Sequence, residues 1–463
     1  MYKIRLNNIK DKYDFNELIK IFLRPDEYEV YTIDRPQETL GNTEDAGEII
    51  EINETSSDDK NFVKREIYKK LSSITGKQPP WGILTGVRPV KLAGEIIKAA
   101  GSSASAEDIL REEYFLSEEK AALLTDIYGY QQRMLSKASD NSAGVYIGIP
   151  FCPTRCLYCS FTSNQKGPED IESYLAALFK EIEYYGSGMK ASGIWAETVY
   201  IGGGTPTTLT AAQLDRLLEK IGSSFDLSRI KEFTVEAGRP DTITKEKLDV
   251  IKSRGIKRIS INPQTMKDET LKLIGREHSS EQIREAFEIA EQEGDLIINA
   301  DLIAGLPGES ALDFEKSLNE VISLAPANIT VHTLAVKKAS KLIEADEDFH
   351  YRQSDVVEKM LKISEEKLKQ AGYRPYYLYR QKHMAGALEN VGYCKDDTPC
   401  VYNIRIMDES QSILALGAGG ISKKYYPQEN RLERVANVSN YQIYIERIDE
   451  MIDRKIKNFF KEV

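Results

Sequence analysis

The hydrophobic rhythm of the chain changes twice. From residue 1 to about residue 140, short alternating runs at 2–6, 28–33 and 48–52 flank a helical period at 15–23, and longer charged helical patterns follow at 61–74 and 116–135. This texture predicts a small α+β domain over residues 1–140. The stretch Lys-Gln-Pro-Pro-Trp-Gly at 77–82 interrupts it, because two prolines and a glycine cannot continue a helix. The small polar residues 136–144 read as a linker. From residue 145 a regular alternation sets in, with strands expected at 145–149, 198–201, 231–236, 258–261, 296–303 and 328–334. Helices are expected between them at 169–185, 211–221, 245–253, 281–292 and 311–324. Strand–helix–strand units with right-handed crossovers imply a parallel sheet covered by helices. Six such strands predict an α/β fold, an incomplete (β/α)6 barrel over residues 141–350, whose active face lies at the carboxyl ends of its strands. Residues 351–463 mix helical patterns at 356–371 and 441–460 with a tyrosine-rich stretch and short β-like runs, a C-terminal mixed α/β extension.

Composition narrows the class. With 41% hydrophobic and 29% charged residues, the 463-residue chain reads as folded and globular. Its 62 basic against 73 acidic side chains, a net charge of −11, argue against a nucleic-acid partner, which needs basic clusters. No apolar run is long enough for a spanning helix, so no membrane span is expected. Residues 1–6 are charged and alternating, unlike a signal peptide, and the expectation is a cytoplasmic protein. Five cysteines, an odd number with three crowded together, exclude a disulfide scaffold.

Those three follow the first barrel strand directly, in Gly148-Ile-Pro-Phe-Cys152-Pro-Thr-Arg-Cys156-Leu-Tyr-Cys159. Three soft thiolates on one loop can hold three corners of a cubane iron–sulfur cluster and leave one iron open to an exogenous ligand. Structural zinc is the metal alternative, but it wants a fourth protein ligand, and no cysteine or histidine lies nearby in sequence. Three unrelated buried cysteines are the bland alternative. The other two, Cys394 and Cys400, read as incidental reduced thiols or as a second metal pair. His332 reads as a core histidine, and His278, His350 and His383 show no metal-ligand spacing.

A Cys-x3-Cys-x2-Cys loop with Tyr158 before its last cysteine resembles the radical S-adenosylmethionine superfamily. The segments 146–152, 202–207 (Gly-Gly-Gly-Thr-Pro-Thr) and 301–308 (Asp-Leu-Ile-Ala-Gly-Leu-Pro-Gly) are similar to the oxygen-independent coproporphyrinogen III dehydrogenase group. Residues 81–89 and 388–393 extend the likeness to its HemZ-type branch. The resemblance implies a 4Fe–4S cluster on Cys152, Cys156 and Cys159, with S-adenosylmethionine at the open iron and a 5′-deoxyadenosyl radical formed on reduction. It implies cofactor contacts from Gly202, Gly203, Gly204 and Thr205, from Glu236, from Gln264 and Arg276, from Asp301 and from Ala335. Tyr146 matches a tyrosine at the cluster and substrate side, implying catalytic and cofactor-contacting roles. Arg276 suits a carboxylate through its bidentate geometry. The bland readings are a tight glycine turn, an ion pair at Glu236, a surface arginine and a core strand tyrosine.

In that group, hydrogen abstraction from a propionate β-carbon is followed by loss of carbon dioxide and one electron, leaving a vinyl group. A tetrapyrrole substrate and a flavodoxin- or ferredoxin-type electron donor are implied. The substrate is a tetra-anion, so Arg155, Arg239, Arg374, Arg380 and Arg405 are candidate contacts. Two positions depart from the dehydrogenase pattern: Phe161 stands where it has a fourth cysteine, and Gly148 where it has a histidine. Phenylalanine is shared with the family's haem-chaperone relatives, yet their His-Asn-x-x-Tyr-Trp motif has only Tyr402-Asn-Ile-Arg-Ile-Met as its nearest counterpart. Three functions follow as expectations: coproporphyrinogen III decarboxylase, haem or porphyrin chaperone, and radical enzyme acting on another tetrapyrrole by methyl transfer or ring opening.

Overall fold

In a computed structural model, residues 1–7, 12–33, 49–53, 60–159, 163–335, 353–381 and 384–459 are described; Phe161, His350 and His383 lie outside them. Two compact units are present. The first comprises Met1–Gly129 with Leu378–Lys382 and Gly386–Leu388, and the second the remainder.

In the first unit the alternating runs become a parallel three-stranded sheet, with β1 (Tyr2–Asn7) between β2 (Tyr28–Ile33) and β3 (Ile49–Asn53). Parallel neighbours need a crossover, and α1 (Lys12–Phe22) supplies the first. Ile4 and Leu6, two apart and so on one face of β1, pack with Phe15, Leu18 and Phe22 of α1 and Val63, Ile67 and Leu71 of α2 (Lys60–Thr75). Three helices follow, α3 (Pro89–Ala100), α4 (Ser103–Glu112) and α5 (Glu118–Met134). Trp81, from the proline-interrupted segment, is buried with the Arg380 guanidinium 4.9 Å above its ring. Arg380 also donates to the carbonyls of Leu84 and Ala387. It is therefore a structural residue of this unit and not a substrate contact.

The second unit holds the six expected parallel strands: β4 (Ser142–Ile149), β5 (Trp195–Gly203), β6 (Glu232–Glu236), β7 (Arg258–Ser260), β8 (Ile297–Ala304) and β9 (Asn328–Thr333). They lie side by side in sequence order, joined by α6 (Pro168–Ala191), α7 (Ala211–Ser224), α8 (Lys245–Ser253), α10 (Ser280–Gln292) and α11 (Ala311–Ser323). The helices begin where their sequences say they should. Capping boxes at Thr210/Gln213, Ser279/Gln282 and Ser310/Asp313 satisfy the first amides of α7, α10 and α11, and Pro168 sits in the first turn of α6. A further helix, α9 (Asp268–Leu273), spans six residues, too few for a period to show in the sequence.

The sheet continues where the sequence texture changes. The segment after residue 351 adds β11 (Asn390–Cys394) antiparallel to β9 and β12 (Ser412–Leu416) parallel to β4, followed by β13 (Ile421–Tyr426) and β14 (Arg431–Ala436). With β10 (Arg374–Tyr379), the order is β10-β11-β9-β8-β7-β6-β5-β4-β12-β13-β14, an open sheet and thus an incomplete barrel. The expected boundary near residue 350 falls between strands of one sheet, because pairing of partners as distant in sequence as Tyr146 and Ala415 leaves no local trace.

At the amino ends of these strands the barrel is filled by polar pairs around the helix Val401–Asp408. Glu232 accepts from the amides of Val401 and Tyr402 at 2.9 and 3.1 Å, meeting the positive end of that helix. Arg258 pairs with Glu232 at 3.0 Å and donates to Asn299 and Asn328. Arg405 grips Glu197 through Nε and Nη2 at 2.9 and 3.0 Å. Cys400 donates to Glu232, and Cys394 lies 3.3 Å from the Tyr130 hydroxyl. Arg374 stacks on Tyr130 at 4.3 Å. These contacts make Arg405 and Cys400 structural and remove Arg405 from the substrate candidates. Neither Cys394 nor Cys400 belongs, among the described residues, to a group of three or more His, Cys, Asp or Glu arranged to hold a metal ion.

Candidate functional site

The cysteine loop, the glycine run and the residues nominated as cofactor contacts lie toward the opposite, carboxyl ends of the strands. The chain leaves β4 through Phe151 into the cysteine loop. That loop is tied down at several points: Cys152 N–H donates to the Asn164 carbonyl at 3.1 Å, Leu157 N–H to Ile274 at 2.8 Å, and the Thr154 hydroxyl to Gly275 at 2.9 Å. Gly275 has φ +77°, and a Cβ there would stand 3.1 Å from the Arg155 carbonyl. Cys152, Cys156 and Cys159 are all unbridged and partly exposed.

The glycine run that ends β5 lies against this loop. Gly204 N–H donates to Ile149 and Thr205 N–H to Phe151, both at 2.7 Å, and the Thr205 hydroxyl reaches Cys152 Sγ at 3.5 Å. A Cβ on Gly204 would come within 2.5 Å of the Phe151 carbonyl and 2.9 Å of Cys152 Sγ. Gly204 is therefore required by close packing of backbone on the cysteine loop. Burial pushes the Cys152 thiol up to about 11, with Thr205 opposing and the neighbouring Cys159 and Cys156 adding to the rise. An iron bound at that sulfur would displace the proton.

Arg276, just after α9, is buried; its Nη1 donates to the Asn262 carbonyl at 2.7 Å and its Nη2 to the Tyr158 hydroxyl at 3.4 Å. Burial opposes its charge, but facing Tyr158 and Cys156 holds its pKa above the ordinary value. The surface-arginine reading is excluded. Its Nε and the nearby Asn262 Oδ1 are buried without hydrogen-bond partners, so both are open to a polar ligand. With three thiols on a braced loop and a glycine cradle beside them, the residues fit a cluster with S-adenosylmethionine.

Arg239 belongs to the support of the loop. It pairs with Asp241 at 2.8 Å and donates to the Thr154 hydroxyl, and Asp241 also faces His278 at 3.5 Å. Burial and the flanking arginines, Arg276 and Arg239, outweigh Asp241 and lower the His278 pKa. Neither Arg239 nor His278 is available to a substrate. Arg155 remains exposed on the loop.

The barrel interior carries the other nominated side chains. Tyr146 on β4 lies directly beside Tyr200 on β5, their rings stacked at 6.3 Å. The Tyr200 hydroxyl donates to Glu236 Oε1 at 2.5 Å. Burial pushes the Glu236 carboxyl up to about 7; the Tyr200 hydrogen bond pulls it down and Asp301 pushes it up. Burial and then Glu236 raise Tyr146 well above the usual phenol range. Asp301 on β8 lies 3.6 Å from His332 on β9, which places that histidine toward the interior, partly exposed. Gln264 has φ +68°, a left-handed conformation, and is tied across β8 by Gln264 N–H to Asp301 and Ile303 N–H to Gln264, both at 2.9 Å. Ala335 follows β9 and bridges to Met384.

Tyr200 escaped the sequence analysis, and Tyr402 entered it only as the start of a counterpart to the haem-chaperone motif. Tyr200 had a signal: strand alternation places it on the face of Gly202, and its register partner is Tyr146. Tyr402 had none, since it reaches the interior from a helix more than 160 residues beyond Glu236.

The Radical SAM superfamily model matches residues 146–321. The chain is 40% identical over 406 residues to the oxygen-independent coproporphyrinogen-III oxidase-like protein HemZ of Bacillus subtilis, an alignment covering 86% of this chain and 80% of that protein. It is 38% identical over 196 residues to the heme chaperone HemW of the same organism, covering 42% of this chain and 50% of the relative. Among solved structures, the radical SAM coproporphyrinogen III oxidase HemN from Escherichia coli superposes with a TM-score of 0.54 at 22% identity, over 70% of this chain and 73% of that one. Among the described residues no helix is long and apolar enough to cross a membrane.

Proposed function

Because the chain belongs to the radical S-adenosylmethionine superfamily, in its group of HemZ-like coproporphyrinogen oxidase relatives, we propose that it decarboxylates the propionates of coproporphyrinogen III to vinyl groups without oxygen. The observation that carries this reading is the 40% identity, over 86% of the chain, to the coproporphyrinogen-III oxidase-like relative; the cofactor site it requires is supported by the buried Arg276, braced against Tyr158 of the cysteine loop with its Nε unpartnered. That arginine sets a carboxylate-binding cation beside the three thiols.

Cys152, Cys156 and Cys159 would hold the 4Fe–4S cluster, and Gly202, Gly203, Gly204, Thr205, Glu236, Gln264, Arg276, Asp301 and Ala335 the S-adenosylmethionine. When bound, these groups supply a hydrogen-abstracting 5′-deoxyadenosyl radical. The protein's own part is positioning. Arg276 would hold the methionine carboxylate, and Glu236 would offer a carboxylate to the cofactor. Tyr146 keeps its proton at pH 7 and presents a neutral phenol between cofactor and substrate. Lining the mouth with exposed Arg155 favours the anionic propionates. A flavodoxin- or ferredoxin-type donor would deliver the electron that reduces the cluster, a one-electron acceptor would take the electron released with each carbon dioxide, and the protein is read as cytoplasmic.

The test is anaerobic incubation of the cluster-reconstituted protein with coproporphyrinogen III, S-adenosylmethionine and dithionite, followed by mass analysis of the porphyrins. Loss of two carbon dioxide equivalents is expected. Deoxyadenosine without decarboxylation sinks the proposal and points to another tetrapyrrole. Stable haem retention without cofactor cleavage points to the chaperone reading, which the 38% identity to a heme chaperone favours.

A further inference from the structure

The geometry points to Tyr200 as a positioning residue that aims the Glu236 carboxylate at the cofactor, with Tyr402 as the brace that keeps Tyr200 in place. The inference rests on the reading that Glu236 contacts S-adenosylmethionine, and goes beyond it to residues that reading does not use.

Three observations carry it. The Tyr200 hydroxyl donates to Glu236 Oε1 at 2.5 Å, fixing one oxygen of the carboxylate. Gly202, which separates the two side chains along the sheet, leaves no space for a Cβ: one built there would lie 2.8 Å from Glu236 Oε2 and 2.9 Å from Tyr200 Cε1. The glycine is thus needed by the tyrosine–carboxylate pair as well as by any ligand. Tyr402 lies on the other side of Tyr200, rings 4.6 Å apart and inclined 21°, and Tyr146 stacks near both, 6.4 Å from Tyr402. Such pairs contribute beyond the area they bury.

Tyr402 is itself held firmly. Its amide and that of Val401 are bound by Glu232, and one turn on Arg405 is gripped by Glu197. Position therefore passes from the strand floor through Tyr402 and Tyr200 to the Glu236 carboxylate. The groups facing that carboxylate are Tyr200 and the Gly203 amide from β5, Tyr146 from β4, Asp301 from β8, His332 from β9 and Tyr402. Asp301 disfavours a charged Glu236, and Tyr200 is the side chain whose hydrogen bond most favours it.

The experiment measures S-adenosylmethionine affinity by calorimetry on the anaerobically reconstituted full chain, from pH 6 to pH 9. Tyr200→Phe keeps the stack and removes only the donor. Its affinity is expected to fall roughly tenfold at pH 7, the size of a lost hydrogen bond to a charged group, and the pH at which binding becomes tight is expected to move up. In a Glu236→Ala background, where the hydroxyl has no acceptor left to aim, the same substitution should add nothing. Tyr402→Phe should bind as the parent does, and Tyr402→Ala should reproduce the loss. If Tyr200→Phe weakens binding equally in the Glu236→Ala background, or leaves the parent affinity and its pH dependence unchanged, the positioning role is overturned while the Glu236 contact stands. If Glu236→Ala alone leaves affinity unchanged, the contact and the positioning role both fail. Matching iron content and melting temperature show that each variant is folded.

Discussion

Gly204 and Cys152 fit together so closely that the glycine's single hydrogen is a requirement: a Cβ would stand 2.9 Å from the sulfur and 2.5 Å from the Phe151 carbonyl. Both obstacles are in a loop tied to β5 by two backbone hydrogen bonds, so neither can retreat cheaply. Gly204→Ala should therefore displace the first cysteine ligand. Iron and sulfide content after reconstitution, with the visible charge-transfer absorbance, should fall to near that of Cys152→Ala. Full cluster occupancy in Gly204→Ala would show that the loop gives way more easily than its bonding implies.

A second glycine contact supports β4 from the C-terminal segment. Gly417 has φ +92°, and a Cβ there would meet the Gly148 carbonyl at 2.5 Å and the Tyr174 hydroxyl at 2.6 Å. Left-handed strain and overlap with backbone combine, so Gly417→Ala is expected to cost on the order of 3 kcal/mol and to lower the melting temperature by several degrees. Gly148 itself is roomier: its Cβ would meet Leu416, Ala418 and Tyr146 at 3.4–3.5 Å, ordinary contact distances. A melting scan of Gly148→Ala should lie close to the parent and that of Gly417→Ala well below it.

The same region holds a fully buried ion pair. Lys455 donates to Glu181 and to Asn437, while Glu181 also accepts from Tyr444 at 2.6 Å and from the Gly417 amide at 2.8 Å. Removing the lysine strands a carboxylate in a dry interior. Lys455→Met is expected to destabilise by about 3–5 kcal/mol, and Glu181→Gln in the same chain to recover part of the loss, because the amide carbonyl still accepts from Tyr444. Chemical denaturation of the two variants checks both the size and the order.

How much of this was legible in the sequence depends on how local the cause is. The strand–helix alternation, the capping boxes and the cysteine spacing are written within a few residues, and the sheet from β4 to β9 follows them closely. The reach of β12 to β4, and of Tyr402 to Tyr200, is set by packing between segments far apart in the chain, and alternation or periodicity cannot register it. Charge was misleading for a related reason. Arg239, Arg380 and Arg405 looked like substrate contacts because the implied substrate is a tetra-anion, yet each is buried against a partner, Asp241, the Leu84 and Ala387 carbonyls, and Glu197, that only the fold reveals. Arg276 shows the converse, since the 120 positions that separate it from Cys156 hide their proximity.

Two of those partners make the fold sensitive to acid. Glu197 is held below the usual carboxylate range: burial pushes it up, but Arg405 and Lys231 outweigh burial. Asp241 is held lower still, His278 and Arg239 together overcoming its burial. A carboxylate whose folded pKa lies below its unfolded value contributes stability that is complete above the unfolded pKa, about 4 for these groups, and is lost as pH falls through the folded one. In denaturation midpoints, the share of stability that these two carboxylates contribute should hold level from pH 7 to about pH 5 and then drop. Arg405→Gln raises the Glu197 pKa and so shifts part of that drop to higher pH, while lowering the plateau. Arg239→Gln should act likewise through Asp241 and also loosen Thr154 on the cysteine loop, so its cluster content should fall and that of Arg405→Gln should not. Equal cluster loss in both variants would mean that general destabilisation, and not the Thr154 tie, sets cluster retention.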